Sequence, residues 1–152
     1  MSVGKVASKW VAEGISEYEK RITKYLKFRS LYIPDIKNSK SLSISQIKEE
    51  EGKKLLAEMA DSDYVVLMDE RGKQFTSRNF SLWLEKIMAG GRKRLLLVIG
   101  GPFGFSDAVY SRADAMISLS SMTFTHEMAK LFATEQIYRA FSILNGEPYH
   151  HD

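Results

Sequence analysis

The 152-residue chain contains no cysteine. That absence excludes disulfides, thiolate nucleophiles and cysteine-ligated zinc or iron–sulfur centres. Histidine is scarce: His126, His150 and His151 are all there is. His150 and His151 are adjacent, so they lack the one-turn spacing of a helical zinc-protease pair, and no metal site is expected. Proline is also sparse, with three residues. No repeat, low-complexity tract or linker divides the sequence, so one domain over residues 1–152 is expected. No apolar run approaches the roughly 18 residues needed to span a bilayer. Residues 1–5 lack the apolar core of a signal peptide. No membrane partner and a cytoplasmic location are therefore expected.

What is present is ordinary globular material: 44% hydrophobic and 27% charged residues. A formal net charge of +3 and a pI near 9.0 suit a polyanionic partner without requiring one. Helical and extended patterns alternate. Val11, Ile15, Tyr18, Ile22 and Tyr25 recur every three or four residues and predict an amphipathic helix over 10–26. Residues 28–33 are apolar and end at Pro34, which predicts a strand. A polar loop over 34–42 follows. Ser43 with Gln46 three residues on is a capping-box pattern. It predicts a helix to about Met59 that buries Ile44, Ile47, Leu55, Leu56 and Met59, with Gly52 as a weak point.

The continuous apolar run 64–68 predicts a buried strand. Asp69-Glu70-Arg71-Gly72 then reads as a turn. Ser77 is placed to cap a helix running to Met88, with Phe80, Leu84 and Ile87 facing inward and Gly90-Gly91 ending it. Residues 95–99 form the clearest strand pattern. A short helix after Ser106, a strand over 115–119 and a long helix over 127–144 complete the order. Apolar residues lie on more than one side of that last helix, which predicts burial from two directions. The alternation gives an α/β fold with a mostly parallel sheet flanked by helices.

Two loops follow strands, where open α/β sheets bind ligands. The first is Ile99-Gly100-Gly101-Pro102-Phe103-Gly104-Phe105. Glycines there let backbone N–H groups approach a ligand. No Gly-Lys-Ser/Thr follows, and the spacing is not that of a dinucleotide fingerprint. A plain strand-to-helix turn accounts for it equally well. The second is Leu119-Ser120-Ser121-Met122-Thr123-Phe124-Thr125-His126. Its hydroxyls and apolar side chains suit an adenosine, but taken alone a loop whose Thr125 caps the last helix is the simpler account.

Four segments occur in order: Ile99-Gly100-Gly101-Pro102-x-Gly104, Leu119-Ser120-x-Met122-Thr123-Phe124-x-His126, Glu135-Gln136-x-Tyr138-Arg139-Ala140, and Tyr149-His150. Together they closely resemble the SPOUT-class methyltransferases that act on N3 of a pseudouridine in large-subunit (23S) ribosomal RNA. Gly14-Ile15-x-Glu17-Tyr18-x-Lys20-Arg21 and Glu51-Gly52 resemble the same family, so the likeness runs along nearly the whole chain. Members begin with a complete apolar strand before Val-Gly-Lys. Here only Met1 and Ser2 precede Val3, so a truncated or shortened first strand with weakened edge pairing is expected.

The resemblance implies a SPOUT-type fold with a C-terminal trefoil knot, which no periodicity argument proposes. It implies a homodimer whose pockets are completed near the partner subunit, and S-adenosyl-L-methionine as cofactor. Carried over position by position, the cofactor contacts fall at Met68, Gly100, Leu119, Ser120, Ser121, Met122, Thr123 and Phe124. The family often has leucine at position 68, and methionine there keeps the apolar volume.

Methyl transfer to a ring nitrogen needs an in-line approach, loss of the N3 proton and exclusion of water. Positioning supplies up to about 7–11 kcal/mol of barrier lowering, and a general base about 10²–10⁴-fold. The resemblance places Tyr149, His150, Arg139 and His126 in the catalytic group. Histidine titrates near neutrality, which suits His150 to take the proton. Read without the resemblance, Tyr149-His150-His151 is an ordinary tail, His126 is helix-start packing, and Arg139 is a helix-surface cation with Glu135 one turn earlier as its partner.

Two basic clusters are candidate contacts for RNA in the ribosome: Lys20, Arg21, Lys24, Lys27 and Arg29, then Arg92, Lys93 and Arg94. A solvated helix face explains either cluster as simply. Two other functions compete with the enzyme. One is a non-catalytic ribosome- or RNA-binding module retaining the fold; the intact Tyr149-His150 speaks against it. The other is a protein binding a different nucleotide through the glycine loop; the missing phosphate-binding lysine speaks against that.

Overall fold

The computed structural model describes residues 1–37 and 39–150; His151 lies outside the described residues. The elements in chain order are β1 (Ser2–Val3), α1 (Lys9–Ile22), β2 (Tyr32–Ile33), α2 (Ile44–Ala57), β3 (Asp63–Gln74), α3 (Ser77–Ala89), β4 (Arg94–Ile99), α4 (Asp107–Arg112), β5 (Ala115–Ser118) and α5 (His126–Leu144). A short 3₁₀ turn covers Ser39–Ser41. The chain forms two compact units. The first comprises Met1–Lys5, Ser30–Lys73 and Lys93–Ser118, and the second Val6–Arg29, Gln74–Arg92 and Leu119–Asp152.

The first unit holds a five-stranded parallel sheet in the order β2-β1-β4-β3-β5. Its centre is the β3–β4 pair, in register from Asp63 opposite Arg94 to Met68 opposite Ile99. Val65, Val66, Leu67 and Val98 are fully buried, as a continuous apolar run demands. Leu55 of α2 and Val109 of α4 join Val65, Leu67, Leu96 and Val98 in one apolar cluster. Each such fully buried aliphatic side chain contributes about 1.5–3 kcal/mol.

Several expectations change. β1 is short, but it lies inside the sheet rather than at its edge. It pairs with β2 and β4, the Met1 carbonyl accepts from Ile99 N at 3.0 Å, and Gly4 N donates to Ile33 O at 2.8 Å. The segment 69–72 is not a turn: β3 runs straight through it to Gln74. Gly72 lies so close to the Ile117 backbone that any side chain would collide with it. The glycine thus serves close strand approach rather than chain reversal. β2 is reduced to Tyr32–Ile33, and α1 ends at Ile22, where hydrogen-bonded turns take over through Leu26. The Ser43–Gln46 capping box is present, but Ile44 points outward at 56% exposure. It occupies the first helical position, before the buried stripe of Ile47 and Leu55 begins. Thr76 rather than Ser77 caps α3, accepting from Asn79 N at 3.2 Å.

The second unit is built on α5, which packs against both α1 and α3. This is the two-sided burial that the sequence pattern indicates. Gly14 of α1 leaves room for Leu131, whose Cδ1 would stand 3.0 Å from an added Cβ. Glu127 at the start of α5 accepts the backbone N–H groups of Ala7 (2.5 Å) and Ser8 (3.3 Å), satisfying donors that open α1.

At the foot of β3, Asp63 is buried and accepts from Arg94 Nε at 2.9 Å and from Ala60 N at 2.7 Å. The Arg94 guanidinium holds the Asp63 carboxyl below its ordinary value against the cost of burial. A depressed folded pKa contributes stability above the unfolded value of 3.8, and that stability is lost as pH falls through the lower folded value. Asp63→Asn should therefore lower stability by about 2–3 kcal/mol at pH 7, less than for a fully buried pair because Arg94 is partly solvated. Urea unfolding at pH 7 and near pH 3 measures it. The difference between the two proteins should shrink at the acid end.

Candidate functional site

The β3–β4 register sets Met68, half-buried, beside Ile99 at the carboxyl ends of neighbouring strands, and Gly100 follows directly. The glycine loop closes as a tight turn. Gly104 N donates to Gly101 O at 3.1 Å, and Gly104 sits at φ +81°. That left-handed conformation requires glycine in practice. An added Cβ at Gly100 would stand 3.0 Å from Phe105 Cε1 and 3.2 Å from Gly104 O. Phe103 is exposed at the tip. Phe105 is buried, edge-on to Tyr110 with ring centroids 5.6 Å apart.

Tyr110 donates to Asp69 at 2.6 Å, and Arg71 lies 4.7 Å over the Tyr110 ring while pairing with Asp69 at 3.1 Å. The Tyr110 hydroxyl is pushed above its ordinary value, first by burial and then by the carboxylate beside it. A cavity of about 450 Å³ opens beside Arg71 and Tyr110, along residues 113–116.

In the second unit, Leu119, Ser120, Ser121, Met122, Thr123 and Phe124 form an irregular segment after β5. The Met122 N–H donates to Ser120 Oγ at 3.0 Å, and Gln74 Nε2 donates to Ser121 Oγ at 3.0 Å. Met122 is 74% exposed, and the Phe124 ring lies 4.9 Å from Phe132. Thr125 caps α5, accepting from Met128 N at 3.4 Å, so the capping reading holds whatever else the loop does. His126 is the first residue of α5.

The tail makes the other group. Gly146, at φ +66°, turns the chain back, with Glu147 N on Ser142 O at 2.9 Å. Tyr25 fastens the return by donating to Glu147 at 2.6 Å. Tyr149 then lies against α5, its ring edge-on to Tyr138 at 4.7 Å and under the Arg139 guanidinium at 4.8 Å. Its hydroxyl donates to Glu135 Oε1 at 3.1 Å and lies 3.2 Å from the Tyr18 hydroxyl of α1. Arg139 donates to the same Glu135 oxygen at 3.0 and 2.6 Å. Burial, Tyr18 and the Glu135 carboxylate raise the Tyr149 hydroxyl well above the ordinary tyrosine value. His150 follows, half-buried.

Arg139 and Tyr149 are therefore joined through Glu135, with His150 next in the chain. His126 stands apart. Arg139 lies thirteen positions further along α5, roughly 20 Å of helix. Glu135 was legible as the partner of Arg139 by helical spacing. Tyr18 and Tyr138 read in the sequence as core aromatics on inward helix faces; the signal for a further role is their hydroxyls, which need partners when buried.

The basic clusters change as well. Arg94 belongs to the Asp63 pair and also donates to Glu58 O at 2.8 Å, so it is structural. Arg21 pairs with Glu17 at 2.9 Å and lies over the rings of Tyr18 and Tyr138. Among the described residues no cluster of three or more His, Asp or Glu side chains is placed to hold a metal ion. No helix of the described residues is long and apolar enough to cross a membrane.

The family profile described as "Predicted SPOUT methyltransferase" matches residues 1–150. A protein of Parabacteroides distasonis named ribosomal RNA large subunit methyltransferase H is 53% identical over 150 residues, covering 99% of this chain and 96% of its own length. Proteins of the same name from Christiangramia forsetii and Flavobacterium johnsoniae are 52% and 49% identical. They cover 98% and 99% of this chain and 95% and 96% of their own lengths.

The Tyr149 environment predicts a spectroscopic result. In a tyrosinate absorbance titration, Tyr149→Phe should remove amplitude only from the most alkaline part of the curve. A loss of amplitude around pH 10 would mean that its hydroxyl is not held by Glu135.

Proposed function

This chain belongs to the SPOUT methyltransferase family, and from that premise we propose that it transfers a methyl group from S-adenosyl-L-methionine to N3 of a pseudouridine in 23S ribosomal RNA, acting on the ribosome in the cytoplasm. Residues 1–152 serve as one functional domain, with the C-terminal segment forming the family's trefoil knot. The observation that carries the reading is the Tyr149–Glu135–Arg139 group. It holds the C-terminal tail against α5 immediately before His150, an ordering that a passive tail has no reason to require.

Met68, Gly100, Leu119, Ser120, Ser121, Met122, Thr123 and Phe124 are assigned to the cofactor. Their chemistry suits it. Gly100 presents backbone with no side chain, and Met68 offers a half-buried apolar surface beside it. The 119–124 segment offers hydroxyls, together with backbone groups outside regular helix or strand. The cofactor supplies a methyl group made electrophilic by its sulfonium.

The remaining work falls to the chain. Tyr149 stays protonated at neutral pH and is engaged with Glu135, so it orients rather than removes a proton. His150, next to Tyr149 at the end of the ordered tail, is assigned removal of the N3 proton as the general base. Arg139, held by Glu135, orders the tail and offers its remaining donors to the RNA backbone. His126, next to the 119–124 segment, shapes the cofactor side.

The loop with His126 meets the start of α5, whereas the tail returns along the helix only as far as Glu135 near its middle, roughly 13 Å of helix away. That separation favours a homodimer in which the loop of one protomer meets the tail of its partner. The exposed Trp10, Met122, Phe124 and Phe132 supply apolar surface for such a contact.

Two measurements test the assignment. With ribosomes as substrate, His150→Ala should lower kcat by about 10²-fold or more and leave S-adenosylhomocysteine binding unchanged. Wild-type turnover in that variant would overturn the role of His150, and no turnover by the intact protein would favour the non-catalytic RNA-binding alternative. For RNA contact, charge reversal at Arg92 and Lys93, leaving Arg94 in its ion pair, should reduce the salt dependence of ribosome binding by roughly one to two counterions. An unchanged slope removes these residues from the interface.

A further inference from the structure

The Glu51 carboxyl is the one buried acid in the sheet-bearing unit whose oxygen has no hydrogen-bond partner among the described residues. Glu51 is 6% exposed, and its Oε2 is sealed from solvent. It lies on α2, facing Gly101 so closely that its carboxyl fills the space a side chain at 101 would occupy. Gly52, the next residue, meets α4 in the same way. A Cβ there would collide with Ser106 Oγ and stand 3.3 Å from Val109 Cγ2. The Glu51-Gly52 step therefore grips both ends of the 101–106 loop, one through a carboxyl and one through the lack of a side chain.

No hydrogen-bonded ion pair explains the burial, and Lys54 favours the charged form of Glu51 only through space, less than burial and Asp35 oppose it. Lys54, one turn fraction away on α2, donates to the carbonyls of Pro34 (3.0 Å) and Asp35 (3.3 Å). Asp35 adds charge of the same sign, and desolvation together with Asp35 raises the Glu51 pKa above its ordinary value. A buried ion without a partner is costly, whereas a neutral carboxylic acid is tolerated far better.

We propose that Glu51 is a positioning residue for the Gly100–Gly104 turn, its buried carboxyl acting as a fixed spacer that holds the turn in the shape that receives S-adenosylmethionine. This rests on the assignment of Gly100 to the cofactor. The spacer has the length and bulk of glutamate, so glutamine, of the same shape, should replace it and alanine should not. With alanine, the turn loses its support from behind, and Gly101 and Gly104 have no side chains with which to restore it.

The test uses the full-length protein with S-adenosylhomocysteine calorimetry, steady-state kinetics and amide hydrogen exchange. Glu51→Ala should weaken S-adenosylhomocysteine binding at least tenfold and raise KM for the methyl donor more than it lowers kcat. It should also speed exchange at residues 101–106 in the ligand-free protein. Glu51→Gln should restore all three to wild-type values. A merely structural role would lower thermal stability without the KM-selective change or the local exchange. Wild-type binding with unchanged affinity and exchange in Glu51→Ala overturns the inference alone. A wild-type protein that binds no S-adenosylhomocysteine overturns the cofactor assignment and the inference with it. Should Glu51→Ala fail to fold, Glu51→Gln decides: affinity reduced tenfold in a folded protein overturns the spacer proposal, and wild-type affinity supports it.

Discussion

The six-residue parallel register between β3 and β4 is the constraint on which the sheet-bearing unit depends. It runs from Asp63 opposite Arg94 to Met68 opposite Ile99. A slip of one residue would turn every side chain in β3 to the other face. Val65 and Leu67 would leave the apolar cluster they share with Leu96 and Val98. The Asp63–Arg94 pair pins the lower end of this register with directional bonds, where hydrophobic contact alone is indifferent to register. At the upper end the same register delivers Met68 and the glycine turn side by side. β1 adds to this by pairing on the far side of β4, which makes a two-residue strand an interior element.

In the helical unit, the comparable role falls to a single carboxylate. Glu135 gathers Arg139 from its own helix and Tyr149 from the tail, and Tyr149 in turn meets Tyr18 of α1. One Glu135 oxygen accepts from both Arg139 and Tyr149 in a partly buried place. A tail that otherwise would cost conformational entropy to order is held by hydrogen bonds, ring contacts and a cation over its ring. The same contacts that order the tail raise the Tyr149 hydroxyl above its ordinary value.

Glycines carry much of the geometry, for reasons that differ by position. Gly104 and Gly146 adopt left-handed conformations that end a turn and a helix. Gly52, Gly72 and Gly101 have ordinary backbones and mark places where another segment occupies the space of a missing side chain. The first kind stabilises a local shape. The second kind records tertiary contact, and it is this kind that links α2 to the glycine turn.

The sequence by itself determined the α/β alternation, the two central strands, the Ser43–Gln46 capping box, the Thr125 cap and the two-sided burial of α5. Each of these follows from local periodicity or from partners within a few residues. It also determined family membership, because the ordered motifs from Ile99 to His150 are themselves sequence. Only the tertiary structure decided that β3 continues through Asp69-Glu70-Arg71-Gly72, that β1 is interior, that Arg94 serves Asp63 and that Tyr18 meets Tyr149. In each case the deciding partner lies far away in the chain: Ile117 for Gly72, Leu31 and Ile99 for the first strand, Tyr149 for Tyr18. A charged stretch near a glycine reads as a turn when only neighbours are considered. It becomes strand when a distant backbone supplies the packing, and that supply is invisible until the chain has folded.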